Sequence, residues 1–187
     1  MDRKRQIIEA AIDLIHGEGI HALTLRRVAQ EVEISEPAIF RHFRDKEDLI
    51  DNLASFVFDR SRLAPGGEGN TQEVLRRFLH DRLASFQDRP EFTSVIFQDL
   101  FSEYPQVRSR FEDFRSEARG LIEDAVEGGK ARGEVDQDVD PQVSSLILTG
   151  AIRAAVIEWK EGGFQGDITE RAGPLAEHLM RMLEVRR

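Results

Sequence analysis

Five groups of cations punctuate the first fifty residues: Arg3, Lys4 and Arg5; Arg26 and Arg27; Arg41, His42 and Arg44; and Lys46. Side chains of this type pair with phosphate oxygens. Among them stand residues that can address the edges of base pairs. Arg41 can make a paired bond to guanine, Ala38 can meet a thymine methyl, and Glu36 can accept from a cytosine amino group. Glu36 has a second reading, as a first-turn carboxylate that stabilises the dipole of its own helix. Both remain open from the residues alone.

These groups matter only if something rigid aims them, and the sequence supplies it between Thr24 and Leu49, TLRRVAQEVEISEPAIFRHFRDKEDL. Leu25, Val28, Ala29 and Val32 recur at the spacing of one buried helical face. Thr24 stands at the N-cap position, with Leu23 and Val28 placed to close over it as a hydrophobic staple. A second short helix repeats the device: Ser35 is placed to cap it, Pro37 is tolerated in the first turn, and Ile34 can staple onto Ile39. Val32 to Ile34 leave room for only a tight turn, so the two helices must cross steeply, which is the geometry of a helix-turn-helix.

The resemblance is to the tetracycline-repressor (TetR) family of bacterial transcription regulators, and it covers the first fifty residues closely. RQIIEAAIDLIHGEGIHALTL is similar to that family's first helix and following loop, with Ile7, Ala11, Leu14 and Ile15 as the packing stripe and Gly17 and Gly19 ending the helix. Asp45 is placed to cap a fourth helix. Lys46 matches the lysine that the family sets against a phosphate, and Thr24, Arg26 and His42 match further backbone clamps. The resemblance extends the DNA-binding surface to Arg3, Arg5, Ser35, Glu36, Pro37, Ala38, Phe40 and Arg41. Two positions depart from it. Glu33 occupies a turn position where the family usually has glycine, so it must accept a left-handed backbone or force a different turn. Phe40 replaces the usual tyrosine and has no hydroxyl for phosphate, so one positioning contact should be missing.

Composition bounds the rest. A chain of 187 residues with 40% hydrophobic content can fill a real core, and without cysteine it has neither disulfides nor thiolate metal sites. The N-terminus has no apolar leader segment, and the run from Leu146 to Trp159, interrupted by Arg153, is too short for a membrane span. A bacterial cytoplasmic location at the nucleoid is the expectation, with no membrane contact. The net charge of −9 is awkward for a DNA binder, and residues 1–50 carry 8 basic against 10 acidic side chains. Attraction to phosphate must therefore come from local placement, because salt screens charges beyond about 10 Å.

Beyond the motif the pattern is all-α, with about nine helices in total. The expected organisation is a three-helix DNA-binding domain at residues 1–45, followed by a helical effector-binding and dimerisation domain at 46–187. The fourth helix should run from about Lys46 to Arg60 and the fifth from about Thr71 to Gln87. Pro90 should open a sixth, and a long seventh after Pro105 should end near Gly128 and Gly129. Pro141 begins the eighth, and Gly173 and Pro174 mark the ninth. Of the 12 phenylalanines, nine fall in the fourth to seventh helices, where the resemblance implies an inducer pocket for a small lipophilic effector. Candidate lining residues are Phe56, Phe78, His80, Phe97, Gln98, Phe101 and Tyr104, each of which also reads as core or surface.

The eighth helix is apolar nearly all round, which a surface helix would not be. Val143, Ile147, Gly150, Ala151 and Ala154, with Leu175, Leu179 and Leu183 of the ninth, are candidates for a homodimer interface that closes a four-helix bundle. Neither a cofactor nor a metal is expected. Catalysis finds no support either, since the five histidines are scattered and the single Glu-x-x-His, Glu18 with His21, spans a glycine-bearing loop. The implied function is a ligand-released repressor that binds a pseudo-palindromic double-stranded operator as a homodimer. The alternative is a DNA-bound protein that acts through a protein partner without a small-molecule ligand.

Overall fold

The computed structural model describes residues 2–64, 68–97 and 104–183, and these form helices with no strand among them. In chain order the α-helices are α1 (Arg3–Glu18), α2 (Leu25–Glu31), α3 (Glu36–Ile39), α4 (Lys46–Arg60) and α5 (Thr71–Asp88). They continue as α6 (Phe92–Ile96), α7 (Pro105–Arg132), α8 (Pro141–Glu161) and α9 (Ala172–Leu183). The chain forms two compact units, one made of Met1–Ser61 with Arg89–Asp113 and the other of Arg62–Asp88 with Phe114–Arg187.

The first unit is organised around α1. Asp2 caps it by accepting from the Lys4 N–H at 3.1 Å, and Gly19, at φ 84°, ends it by returning its own N–H to the Ile15 carbonyl at 2.9 Å. Ile7, Ala11, Ile12 and Ile15 are completely buried, as are Leu23, Val28, Ile39, Leu49, Leu53 and Val57 from the elements that follow. Each large side chain so covered contributes on the order of 1.5–3 kcal/mol. Both α1 and α4 pack against α6, and α7 adds Phe111, whose ring lies 5.8 Å from that of Phe58. Arg110 donates two bonds to the Asp51 carboxylate, at 2.9 and 3.0 Å.

The second unit rests on α9 packed along α5. Ala176, Leu179, Met180 and Leu183 of α9 are buried, as are Leu75, Phe78, Leu79, Leu83 and Phe86 of α5. Asp140 caps α8 through the Gln142 and Val143 N–H groups, just before Pro141, whose missing donor costs nothing there.

One helix boundary differs from the sequence expectation. Gly128 and Gly129 do not end α7, which runs on to Arg132 and stops before Gly133, at φ 73°. Gly129 is there for proximity: a Cβ on it would lie 2.2 Å from Thr71 Oγ1 and 2.7 Å from Val135 Cγ2. At that crossing Glu134 accepts from the Thr71 N–H at 2.8 Å, the Thr71 hydroxyl at 2.7 Å and Arg132 Nε at 2.9 Å. The Arg132 bond, followed by those from Thr71, holds the Glu134 carboxyl at about 2.

A candidate nucleic-acid interface

The turn between α2 and α3 takes the left-handed option, with Glu33 at φ 54°. Glu33 donates its N–H to the Gln30 carbonyl at 3.1 Å and Ile34 donates to Ala29 at 3.0 Å. These crossed bonds are a Schellman ending, which places the residue after the helix in the conformation glycine prefers. Thr24 caps α2 by accepting from the Arg27 N–H at 3.1 Å, which leaves its own hydroxyl hydrogen free to donate outward.

Ser35 behaves differently from the expectation. It occupies the N-cap of α3, but its hydroxyl receives no capping bond. Pro37 removes one of the two amides a cap would serve, and the other, from Ala38, already donates to the Ser35 carbonyl at 2.9 Å. The exposed Ser35 hydroxyl is left for an outside acceptor. α3 itself is brief: the chain leaves it through a tight turn in which Arg41 donates to the Ala38 carbonyl at 3.3 Å and His42 to that of Ile39 at 2.8 Å. Asp45 then caps α4 through the Asp48 N–H at 2.8 Å.

The cations divide by what they already hold. Arg27 Nη2 lies 2.6 Å from Glu18 Oε1, Arg5 Nε lies 3.0 Å from Glu9 Oε1, and Arg44 Nε lies 3.7 Å from Asp48 Oδ2. Arg3 and Arg5 belong to the first turn of α1 rather than to a free arm, with Arg3 donating to Gln6 Oε1 at 2.8 Å. Lys4 sits over the Phe43 ring, 5.4 Å from its centre. Arg26, Arg41 and Lys46 take part in none of these ion pairs; Arg26 and Arg41 are exposed, and Lys46 opens α4 half-buried. Thr24, Ser35, Glu36, Pro37 and Phe40 are exposed as well, with Ala38 and His42 half-buried. The candidate residues thus share one short stretch of capped helix ends and turns, and Ile39 and Phe43 anchor it from inside at 0 and 1% exposure.

A family model of bacterial regulatory proteins, tetR family, matches residues 7–53, and one of the tetracyclin repressor-like C-terminal domain matches residues 68–183. The chain belongs to the TetR family. It is accordingly a TetR-family transcriptional regulator with a helix-turn-helix DNA-binding segment. It is 29% identical to the nucleoid occlusion factor SlmA of Pasteurella multocida over 60% of this chain and 60% of that relative, less than two thirds of the relative's length. With the transcriptional repressor AcnR of Corynebacterium diphtheriae it shares 29% identity across 96% of this chain and 92% of the other. In fold it is similar to the regulator FadR of Bacillus subtilis, solved in complex with stearoyl-CoA, at a TM-score of 0.76, 17% identity, and coverage of 95 and 98%.

In the part matched by the TetR-family C-terminal model, the expected pocket residues are dispersed. Phe78 is buried, whereas His80 is exposed, 3.3 Å from Asp81 Oδ1, and lines an open cleft with Arg76, Arg77 and Thr169. Phe56, in the first unit, meets Phe92 edge-on at 6.2 Å, and Phe97 and Tyr104 of that unit are half-buried. Gln98 and Phe101 lie outside the described residues. Sequence reasoning passed over Arg82, which is only 5% exposed and stacks with Phe114 and Phe78 at 5.2 and 6.0 Å. Burial pulls its guanidinium down to about 10. The signal was present, since Arg82 interrupts the apolar stripe Leu75, Phe78, Leu79, Leu83, Phe86 at the helical interval.

The candidate dimer residues also separate. Val143 and Ile147 are 51 and 44% exposed, Gly150 and Ala154 are exposed, and Ala151 and Leu175 are half-buried. Leu179 and Leu183 face their own chain's core. Leu146 and Met182, at 61 and 62%, are the more exposed apolar groups of α8 and α9. No helix among the described residues is long and apolar enough to cross a membrane.

Proposed function

We propose that this regulator represses transcription by binding, as a homodimer, a pseudo-palindromic operator in double-stranded DNA, and that a small lipophilic effector releases it. In this reading residues 1–45 are the DNA-binding domain and 46–187 the effector-binding and dimerisation domain. The observation that carries it is the set Arg26, Arg41 and Lys46, left out of the head's ion pairs on an otherwise acidic chain. Thr24, Arg26, His42 and Lys46 act as phosphate clamps, assisted by Arg3, Arg5 and Ser35, while Glu36, Pro37, Ala38, Phe40 and Arg41 face the bases. A single short helix touches few base pairs, so specificity requires two heads spaced by about 34 Å, one turn of the duplex.

The apolar exposed side of α8 supports pairing through Val143, Leu146, Ile147, Gly150, Ala151 and Ala154, with α9 alongside. A structural relative holding stearoyl-CoA supports an acyl-type effector, which the phenylalanine-rich helices would receive. An effector coupling of about 1–3 kcal/mol changes operator affinity about 5- to 150-fold. The test is selection of bound sequences from a random duplex pool, followed by titration of long-chain acyl-CoA against the selected duplex. A palindrome whose binding acyl-CoA weakens supports the whole reading, and recovery of no preferred sequence overturns it. The likeness to SlmA favours a second reading, in which a DNA-bound protein acts through a protein partner. A selected palindrome that no lipophilic ligand releases would favour that one.

A further inference from the structure

Phe40 is 53% exposed, and among the described residues the other large apolar side chains this exposed are Val143, Leu146, Ile147 and Met182, all in the second unit. The first unit has apolar seats available, since Ile39 and Phe43 on either side are sunk to 0 and 1% exposure. Phe40 takes none of them. Its backbone, at φ −64° and ψ −9°, is ordinary, so the outward placement is not forced by strain. It stands between Ala38 and Arg41 at the end of α3, in the stretch that also shows Ser35, Glu36 and Pro37 to solvent.

A phenyl ring there can do little for phosphate, having neither donor nor charge. The apolar feature a duplex offers in its major groove is the C5 methyl of thymine, and Phe is among the side chains that meet it. The flanking cations bring the backbone of a polyanion to this surface, and the ring then meets base edges rather than water. We propose that Phe40 reads sequence by covering a thymine methyl in each half-site, where a hydroxylated aromatic would have held phosphate. The inference rests on the operator-binding reading above.

Its test uses the duplex selected from the random pool, synthesised with deoxyuridine in place of each thymine in turn, which removes one methyl and nothing else. Fluorescence anisotropy should find one thymine per half-site whose replacement weakens the parent about fourfold, the worth of one buried methyl-sized group, and about 15-fold when both half-sites are altered. Phe40→Ala should bind thymine and uracil duplexes equally. Phe40→Leu, which keeps an apolar side chain at the same half-exposed place, should give an intermediate ratio and covers the case in which the alanine variant loses helicity. A parent indifferent to every replacement overturns the inference while leaving DNA binding intact. So does a variant that keeps the parent's thymine-to-uracil ratio. Failure to select any duplex removes the operator reading itself, and this inference with it.

Discussion

The outward side of the helix-turn-helix is built of charge, and the outward side of α8 is built of hydrocarbon. Arg26, Arg41 and Lys46 join none of the ion pairs around them, and such groups add almost nothing to folding while they remain in water. Val143, Leu146 and Ile147 leave apolar area in solvent at 51, 61 and 44%, area that a folded chain gains by covering. Neither surface is explained by the needs of one isolated chain. They differ in what would satisfy them, a screened polyanion in one case and another apolar face in the other, so salt should separate their two associations.

The largest effect should come from charging the hydrocarbon side. Ile147→Glu places a carboxylate on each copy of the proposed interface, unpaired and facing its twin. Sedimentation should show the dimer dissociation constant raised by about 100-fold or more, the scale of removing a few kcal/mol of buried contact. Helicity should be unchanged, because Ile147 is already 44% exposed in the single chain. Added salt should not restore the parent's behaviour. A variant that stays paired at the same concentration would place the interface elsewhere.

Charge removal on the other surface should act through DNA alone. Arg41→Ala combined with Lys46→Ala should lower affinity for a selected duplex about 10- to 100-fold and reduce the slope of log affinity against log salt by about 2, one for each lost phosphate contact. Thermal stability should hold, since neither residue takes part in the head's ion pairs. Equal retardation of the duplex by parent and variant would dismiss this surface. Together the two variants sharpen the contrast, one association responding to salt and the other to hydrophobic area.

The same two regions show how far the residues alone could be read. The head was legible because its signals are local: Thr24 and Asp45 cap the helices they precede, and the buried stripe of α2 follows from spacing. Ser35 was misread because capping depends on which amides remain free, and Pro37 with the Ala38 turn bond leaves none for it. In the second unit the decisive facts are not local. Leu179 and Leu183 have the spacing of an interface stripe, but spacing does not say which neighbour covers a stripe, and α5 covers this one. Arg82 was overlooked because a charge on an apolar stripe reads as an interruption until its ring partners are known.

Gly129 tests that non-local packing. Gly129→Ala forces a Cβ to within 2.2 Å of Thr71 Oγ1, so α7 and the start of α5 must part or the Glu134 bonds must break. A loss of about 2 kcal/mol in unfolding free energy is expected, typical of overpacking, although alanine is the better helix former. Gly128→Ala is the control, because the group nearest its Cβ, at 3.1 Å, is the far end of the flexible Arg132 side chain. If Gly129→Ala is no less stable than Gly128→Ala, the close approach is not what keeps a glycine there.

The smallest effect belongs to the head, where the glycine question is inverted. Glu33 carries a side chain at φ 54° in an ending that favours glycine, and left-handed backbone costs a side-chain-bearing residue about 1–2 kcal/mol. Glycine would relieve this strain but lose about 0.5–1 kcal/mol through the extra freedom of its unfolded chain. Glu33→Gly should therefore stabilise by only about 0.5 kcal/mol, a rise of about 1–2 °C in melting temperature for a chain this long. Glu33→Gln separates strain from charge, since it keeps the side chain and removes the carboxylate beside the proposed phosphate path. If strain dominates stability, Gln melts with the parent while Gly melts above both. If charge dominates DNA affinity, Gln and Gly bind the selected duplex alike and tighter than the parent. A glycine variant no more stable than the glutamine one would show that the Schellman bonds hold a charged side chain in this turn without measurable strain.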